Sequence, residues 1–159
     1  MSHSHHQHPM QLAIDSAMEG ITLNEGGPFG ACVVKENQVI AVAHNTVIKE
    51  NDPTCHAEMN AIRLAAKTLG TYDLSGCTLY TTVDPCPMCL TATYWARIDK
   101  IVAGCENIIA ARYGFDDDAF FQQVKKTPQE REISTEIGIL AKESEEVFKE
   151  WQKLDRKIY

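Results

Sequence analysis

The chain has 159 residues, 44% of them hydrophobic and 23% charged, the size and balance of one globular domain that can bury its own core, which excludes a disordered or collagen-like chain. Fifteen basic against 22 acidic residues give a net charge of −7, which argues against a nucleic-acid partner held by clustered Lys and Arg and favours a small or neutral ligand. No run approaches the roughly 18–20 apolar residues of a membrane span, and the opening MSHSHHQHPM has no apolar signal-peptide stretch, so the expectation is a soluble, cytoplasmic protein with no membrane partner.

Residues 1–8 hold four of the six histidines among Ser and Gln, a polar tract with nothing to bury, read as a disordered tail ahead of a single domain over 9–159. From Pro9 to about Leu23, Met10, Ala13, Ile14, Ala17, Met18 and Ile21 recur at helical spacing, and Pro9 suits a helix start. NEGGPFG is a loop; GACVV and QVIAVAH read as two strands of a hairpin joined by a Lys-Glu-Asn turn. NDPTCHAEMNAIRLAAKTLG is the clearest helix. Thr54 is placed to cap it, Ala57, Ala61, Ile62, Leu64, Ala65 and Leu69 form its apolar side, and Gly70 stops it.

CTLYTTV reads as a buried strand, DPCPMCLTATYWAR as a loop entering a helix, and KIVAGC as a further strand. Strands alternating with helices predict an α/β fold, a sheet covered on both faces with ligands near the strand ends. The last third is less regular until AKESEEVFKEWQKLDRKIY, where acidic residues early and basic ones late suit a helix. Val147, Trp151 and Leu154, with Phe148 beside the first, give that helix an apolar stripe that must pack on something.

Of the six cysteines, Cys32, Cys77 and Cys105 lie singly in or beside apolar β-like runs, as buried thiols do, so a disulfide framework is not expected. Cys86 and Cys89, in DPCPMC, have the two-residue gap of a metal or redox pair. With His56 they make one imidazole and two thiolates, each set at the start of a predicted helix, a donor set that suits zinc and leaves a fourth position for water. Cys55 is the one local candidate for a closed structural site, but as the immediate neighbour of His56 it points elsewhere from a helix. Helix N-termini favour the thiolate forms of Cys86 and Cys89. Glu58, two residues from His56, is placed to take a proton from the zinc-bound water as hydroxide adds to an electrophilic carbon, and to return it to a ring nitrogen and a departing amine. A CxxC alone also fits a thioredoxin-like dithiol, but His56-Ala57-Glu58 followed by Pro85-Cys86-Pro87-Met88-Cys89 has the order of the zinc-deaminase pattern.

GGPFGACVV, NDPTCHAEMNAIR, DPCPMCL, YWAR, GFDD and the terminal KIY resemble, in order, segments of the guanine-deaminase family within the cytidine-deaminase-like superfamily. The metal motifs carry the superfamily; GFDD, the Trp-containing tail and a final Tyr point to guanine. The resemblance implies a three-layer α/β/α sandwich with a mixed central sheet of about five strands, and zinc held by His56, Cys86 and Cys89. It implies hydrolysis of guanine to xanthine and ammonia by attack at C2, with Glu58 as the proton shuttle. For the base it implies Asn45 and Asp117 as hydrogen-bonding groups, Phe29 and Trp95 as aromatic walls, and Tyr159 closing the pocket. It further implies a homodimer that exchanges the segment from about residue 140 to 159. Asp84, where the family usually has Glu, and Cys55, where it has a small residue, depart from the pattern without removing a ligand. The alternatives are a guanosine or tRNA adenosine deaminase, which share the motifs, and a zinc-bearing interaction domain without catalysis. Read without the resemblance, Phe29 and Trp95 equally suit a core, Asn45 a strand end, and residues 116–118 a solvated acidic loop.

Overall fold

In the computed structural model, residues 7–159 are described, so the expectation of a disordered tail falls largely outside them. Helix α1 (Pro9–Thr22) begins where expected, and His8 caps it by accepting the Met10 N–H at Nδ1, 3.1 Å away. Strands β1 (Gly30–Lys35) and β2 (Gln38–His44) form the hairpin. Lys35 pairs with Gln38, and both residues between them, Glu36 and Asn37, have positive φ, as the tight turns that match strand twist require.

A short helix, α2 (Val47–Glu50), then leads into α3 (Ala57–Leu69), which ends on Gly70 with φ 67°. Thr54 does not cap α3 as the sequence suggested. It is drawn into a turn in which its N–H and hydroxyl both donate to Asp52 Oδ1, and the cap position passes to His56. Strand β3 (Cys77–Val83), helix α4 (Pro87–Trp95) and strand β4 (Lys100–Cys105) follow, and then helix α5 (Asn107–Arg112).

The strand order is β2-β1-β3-β4, antiparallel except for the parallel β3–β4 pair that α4 bridges. The sheet is mixed as expected but has four strands among the described residues rather than about five. A fifth would have to come from the chain beyond β4, where α5 forms instead of an immediate strand, and residues 131–139 join no ladder. Strand alternation sends Ala31, Val33 and Leu79 to one face, where they pack with Ala57, Ala61 and Ala65 of α3. Gly30 lies on the opposite face against α1, so close that a Cβ there would sit 1.8 Å from the Ala13 carbonyl oxygen. Helices on both faces of a mixed sheet make the expected three-layer arrangement.

The chain divides after Asp117 into two compact units. The second contains α6 (Asp118–Lys125), a 3-10 turn at Pro128–Glu130 capped by Thr127, and α7 (Ala141–Lys153). Val147, Phe148 and Leu154 are exposed on this unit. Among the described residues no helix is long and apolar enough to cross a membrane.

Candidate metal and catalytic site

The loops leaving β2 and β3 and the first turns of α3 and α4 meet at one end of the sheet. His56 and Cys86 are the N-cap residues of α3 and α4, each with an extended backbone, and Cys89 lies in the first turn of α4. His56 Nδ1 stands 3.6 Å from Cys86 Sγ and 3.5 Å from Cys89 Sγ, and the three donor atoms lie within 4.8 Å of one another. Zinc bonds of about 2.0–2.1 Å to nitrogen and 2.3 Å to sulfur at the tetrahedral angle give an N···S edge of about 3.6 Å. The donor set therefore fits zinc in both identity and spacing, with one coordination position left for water.

The two thiols share a hydrogen bond. The hydrogen bond from Cys89 is the foremost cause that pulls Cys86 down to about 4, with His56 assisting and burial opposing. Cys89 is pushed up, first by its bond to Cys86 and then by burial. His56 is raised, mainly by its contact with Cys86. A divalent cation would take the place of the remaining proton, as metal binding to thiols does.

Glu58 is 6% exposed in the first turn of α3. Its Oε1 is 3.2 Å from the Thr81 hydroxyl, and its Oε2 is 3.5 Å from Cys89 Sγ, which donates. Burial, above all, raises its pKa, with the negative Cys86 adding to the effect. A carboxyl beside the metal position that readily holds a proton has the character of a general acid and base.

Asn45 is buried, and its side-chain Oδ1 accepts the N–H groups of Gly27 and Val47, both at 3.1 Å. Phe29 packs edge-on against Phe115 with centroids 5.0 Å apart. That contact brings the Gly26–Phe29 loop to the segment carrying Asp117. Asp117 is partly buried and its pKa is raised, chiefly by desolvation and then by Cys86, Asp116 and Asp84. Thus the negative charge on Cys86 reaches Asp117. Trp95 stands 68% exposed at the last residue of α4, and Tyr159 lies 61% exposed at the end of the second unit.

Three residues that matter here were not singled out by the sequence. Thr81 holds Glu58, and its signal was a hydroxyl at an inward position of β3 between Leu79 and Val83. Asn60 Nδ2 donates to the His44 carbonyl and the Thr46 hydroxyl, both at 2.9 Å, tying α3 to the strand end beside Asn45. Phe115 lay in the quoted GFDD segment without being assigned a contact.

The family model for the cytidine and deoxycytidylate deaminase zinc-binding region matches residues 3–105. The guanine deaminase of Bacillus subtilis (strain 168) is 46% identical over 128 residues, 80% of this chain and 82% of that protein. The crystal structure of guanine deaminase from Bacillus subtilis superposes with a TM-score of 0.89 at 41% identity, covering 100% of this chain and 99% of that one. A tRNA-specific adenosine deaminase from Aquifex aeolicus (strain VF5) is 49% identical over 75 residues, 47% of this chain and 50% of that protein. With the zinc-binding region, the donor geometry and the fold in agreement, the chain belongs to the cytidine and deoxycytidylate deaminase family of zinc enzymes, as a relative of guanine deaminase.

Proposed function

We propose that the chain is a zinc-dependent guanine deaminase, converting guanine and water to xanthine and ammonia. The observation that carries the chemistry is the tetrahedral spacing of His56, Cys86 and Cys89 with the buried Glu58 carboxyl beside it. The choice of guanine is supported by the similarity to the Bacillus enzyme along most of both chains.

His56, Cys86 and Cys89 would hold a zinc ion, which would make water a competent nucleophile near neutral pH. Glu58 takes a proton from the attacking water. As the C2–O bond forms, Glu58 passes the proton to the ring nitrogen beside C2. It then takes the proton of the new C2 hydroxyl and delivers it to the amino group, which leaves as ammonia when the C2–N bond breaks, and the oxygen becomes the new carbonyl of xanthine. Thr81 keeps the carboxyl in place through these transfers.

Asn45 and Asp117 supply complementary edges to the base. Because the Asn45 Oδ1 is committed to two backbone N–H groups, its NH2 end is the one that donates to a base acceptor. Asp117 accepts from the ring and amino N–H groups, Phe29 stacks on the purine, and Trp95 and Tyr159 complete the walls. The exposed apolar residues of α7 support a homodimer in which this segment is exchanged and Tyr159 serves the neighbouring site. The setting is cytoplasmic purine breakdown, with no nucleic-acid or membrane partner. A tRNA adenosine deaminase shares the zinc half of the chain, but a net charge of −7 opposes binding a polyanion.

The test is ammonia release by zinc-loaded protein from guanine, guanosine, adenine, cytosine and cytidine, with Glu58→Gln alongside. Guanine-selective release that Glu58→Gln abolishes while retaining zinc supports the assignment. Release from another of these substrates overturns the base assignment, and release undiminished by Glu58→Gln overturns the mechanism.

A further inference from the structure

Glu25 lies in the loop between α1 and β1, outside the metal site, yet it fastens two segments that hold a base-contacting residue. Its Oε2 is 2.8 Å from His44 Nε2, and its Oε1 accepts from Lys49 Nζ at 2.8 Å. Its carbonyl oxygen accepts the backbone N–H groups of Ile48 and Lys49 at 3.1 and 2.9 Å. One residue therefore grips both the last residue of β2 and the α2 turn.

Asn45 is suspended between the two gripped segments. Gly27 on the Glu25 loop and Val47 on the α2 turn each donate to Asn45 Oδ1. Asn45 N–H donates to the Phe29 carbonyl at 3.0 Å. A Cβ on Gly26 would stand 2.2 Å from Asn45 Oδ1, so the loop backbone lies flat on that side chain. If the two segments separate, the oxygen loses one of its two donors and the NH2 end loses its direction.

The anchor for this clasp is the His44 ring. Its Nδ1 is 3.0 Å from Ser16 Oγ, and a Cβ on Gly20 would stand 2.6 Å from its Cδ2, so α1 fixes the ring. The His44 and Glu25 side chains are only 14% and 16% exposed, whereas Lys49 is 53% exposed. The His44 contact is therefore the firmer half, and the solvated Lys49 pair the weaker. Both partners favour the ionised carboxylate, and Glu25 is shifted below its ordinary range, chiefly by Lys49 and then His44.

We propose that Glu25 is a positioning residue for base binding: clasping His44 and Lys49, it holds the Phe29 loop against the α2 turn and so aims the Asn45 amide at the base. This rests on the assignment of Asn45 and Phe29 to the base pocket. Because Glu25 touches neither Glu58 nor a metal ligand, its loss should weaken binding rather than chemistry, which appears as a raised KM with kcat unchanged.

The experiment measures kcat, KM for guanine, zinc content and thermal midpoint for the full-length zinc enzyme and for Glu25→Ala, Glu25→Gln, Lys49→Ala and Asn45→Ala. For Glu25→Ala the expectation is a KM raised about tenfold with kcat within about twofold and zinc retained. Glu25→Gln, whose single amide oxygen can still accept from one of the two partners while its NH2 can only donate, should recover part of that loss, and Lys49→Ala should raise KM about two- to threefold. A merely structural role would lower the thermal midpoint without the split between KM and kcat. An unchanged KM in Glu25→Ala while Asn45→Ala raises it overturns the clasp and leaves the pocket assignment standing. An unchanged KM in Asn45→Ala overturns both. If Glu25→Ala does not fold, Lys49→Ala and Glu25→Gln decide, and wild-type KM in both overturns the proposal.

Discussion

Thr81 offers a direct test of how the catalytic proton is held. Its side chain is 1% exposed on the inward face of β3, with the hydroxyl 3.2 Å from Glu58 Oε1 and 2.9 Å from the Val83 carbonyl oxygen. A hydroxyl has one proton to give. When it donates to Val83 it can only accept from Glu58, which suits a protonated carboxyl; when Glu58 is ionised, the hydroxyl can turn and donate to it. Thr81→Val preserves the shape and removes this alternation.

A hydrogen bond to a charged group contributes about 1.5–3 kcal/mol, so losing it where Glu58 must be ionised predicts a fall in kcat of about 10- to 100-fold. Losing the bond to the Val83 carbonyl costs about 1 kcal/mol of stability, a decrease in thermal midpoint of about 2–4 °C for a chain of this size. The sign of the pH effect follows from the same loss. Burial already raises the Glu58 pKa, and removing a donor to its ionised form raises it further, so the acid limb of kcat should move to higher pH. The assay is the absorbance change from guanine to xanthine across pH, with zinc content measured on the same samples. Thr81→Ser should keep kcat within a few-fold. Wild-type kcat in zinc-replete Thr81→Val, or equal impairment in Thr81→Ser, would refute this account.

Removing zinc with a chelator should abolish ammonia release and one equivalent per chain should restore it, since the donor set holds a single ion; activity in demonstrably metal-free protein would contradict the mechanism. Gly30→Ala should lower the thermal midpoint by at least several degrees, because a Cβ placed 1.8 Å from the Ala13 carbonyl oxygen must push α1 off the sheet, an overpacking cost of about 1–3 kcal/mol or more; an unchanged melting curve would show that α1 does not pack this closely. Deleting Tyr159 should depress turnover while the zinc content stays intact, and wild-type turnover from the truncated chain would sink its role in the pocket.

The parts of the fold legible in the sequence are those that short-range chemistry specifies. The hairpin followed from two β-branched runs around a Lys-Glu-Asn turn, of which Lys35 proved to belong to the strand, and α3 ended on Gly70 because that position adopts a left-handed backbone. The metal donors were legible because zinc demands particular atoms at particular spacings. Long-range partnerships were not. A threonine in CTLYTTV reads as an ordinary strand former until Glu58 is seen opposite it, and Asn60 reads as a helix-surface residue until the end of β2 arrives beside it. Thr54 misled because its local rank as a cap is high, while its two bonds to Asp52 were invisible to a helical pattern. His44, given no role from sequence, turned out to be packed against α1 and joined to Glu25.

The exchange of the cap position explains more than a misplaced boundary. His56 and Cys86 both occupy N-caps with extended backbones, and neither makes a side-chain capping bond. Ser, Thr, Asp or Asn at such a position would stabilise its helix by about 1 kcal/mol. The chain forgoes that at both helices, and Pro87 at the first position of α4 limits the consequence because it has no N–H to leave unsatisfied. In return, the positive ends of two helices point at the same small volume. That volume must hold two thiolates and the Glu58 carboxylate, three negative charges against the two positive charges of zinc. The surplus negative charge is then stabilised by backbone dipoles, which cannot be displaced or titrated. A cationic side chain there could pair with Glu58 and take it out of proton transfer. The same arrangement leaves the Glu58 pKa raised chiefly by its burial, with Cys86 adding to the effect, and makes helix placement, rather than added charge, the means by which this site would keep the proposed proton shuttle reactive.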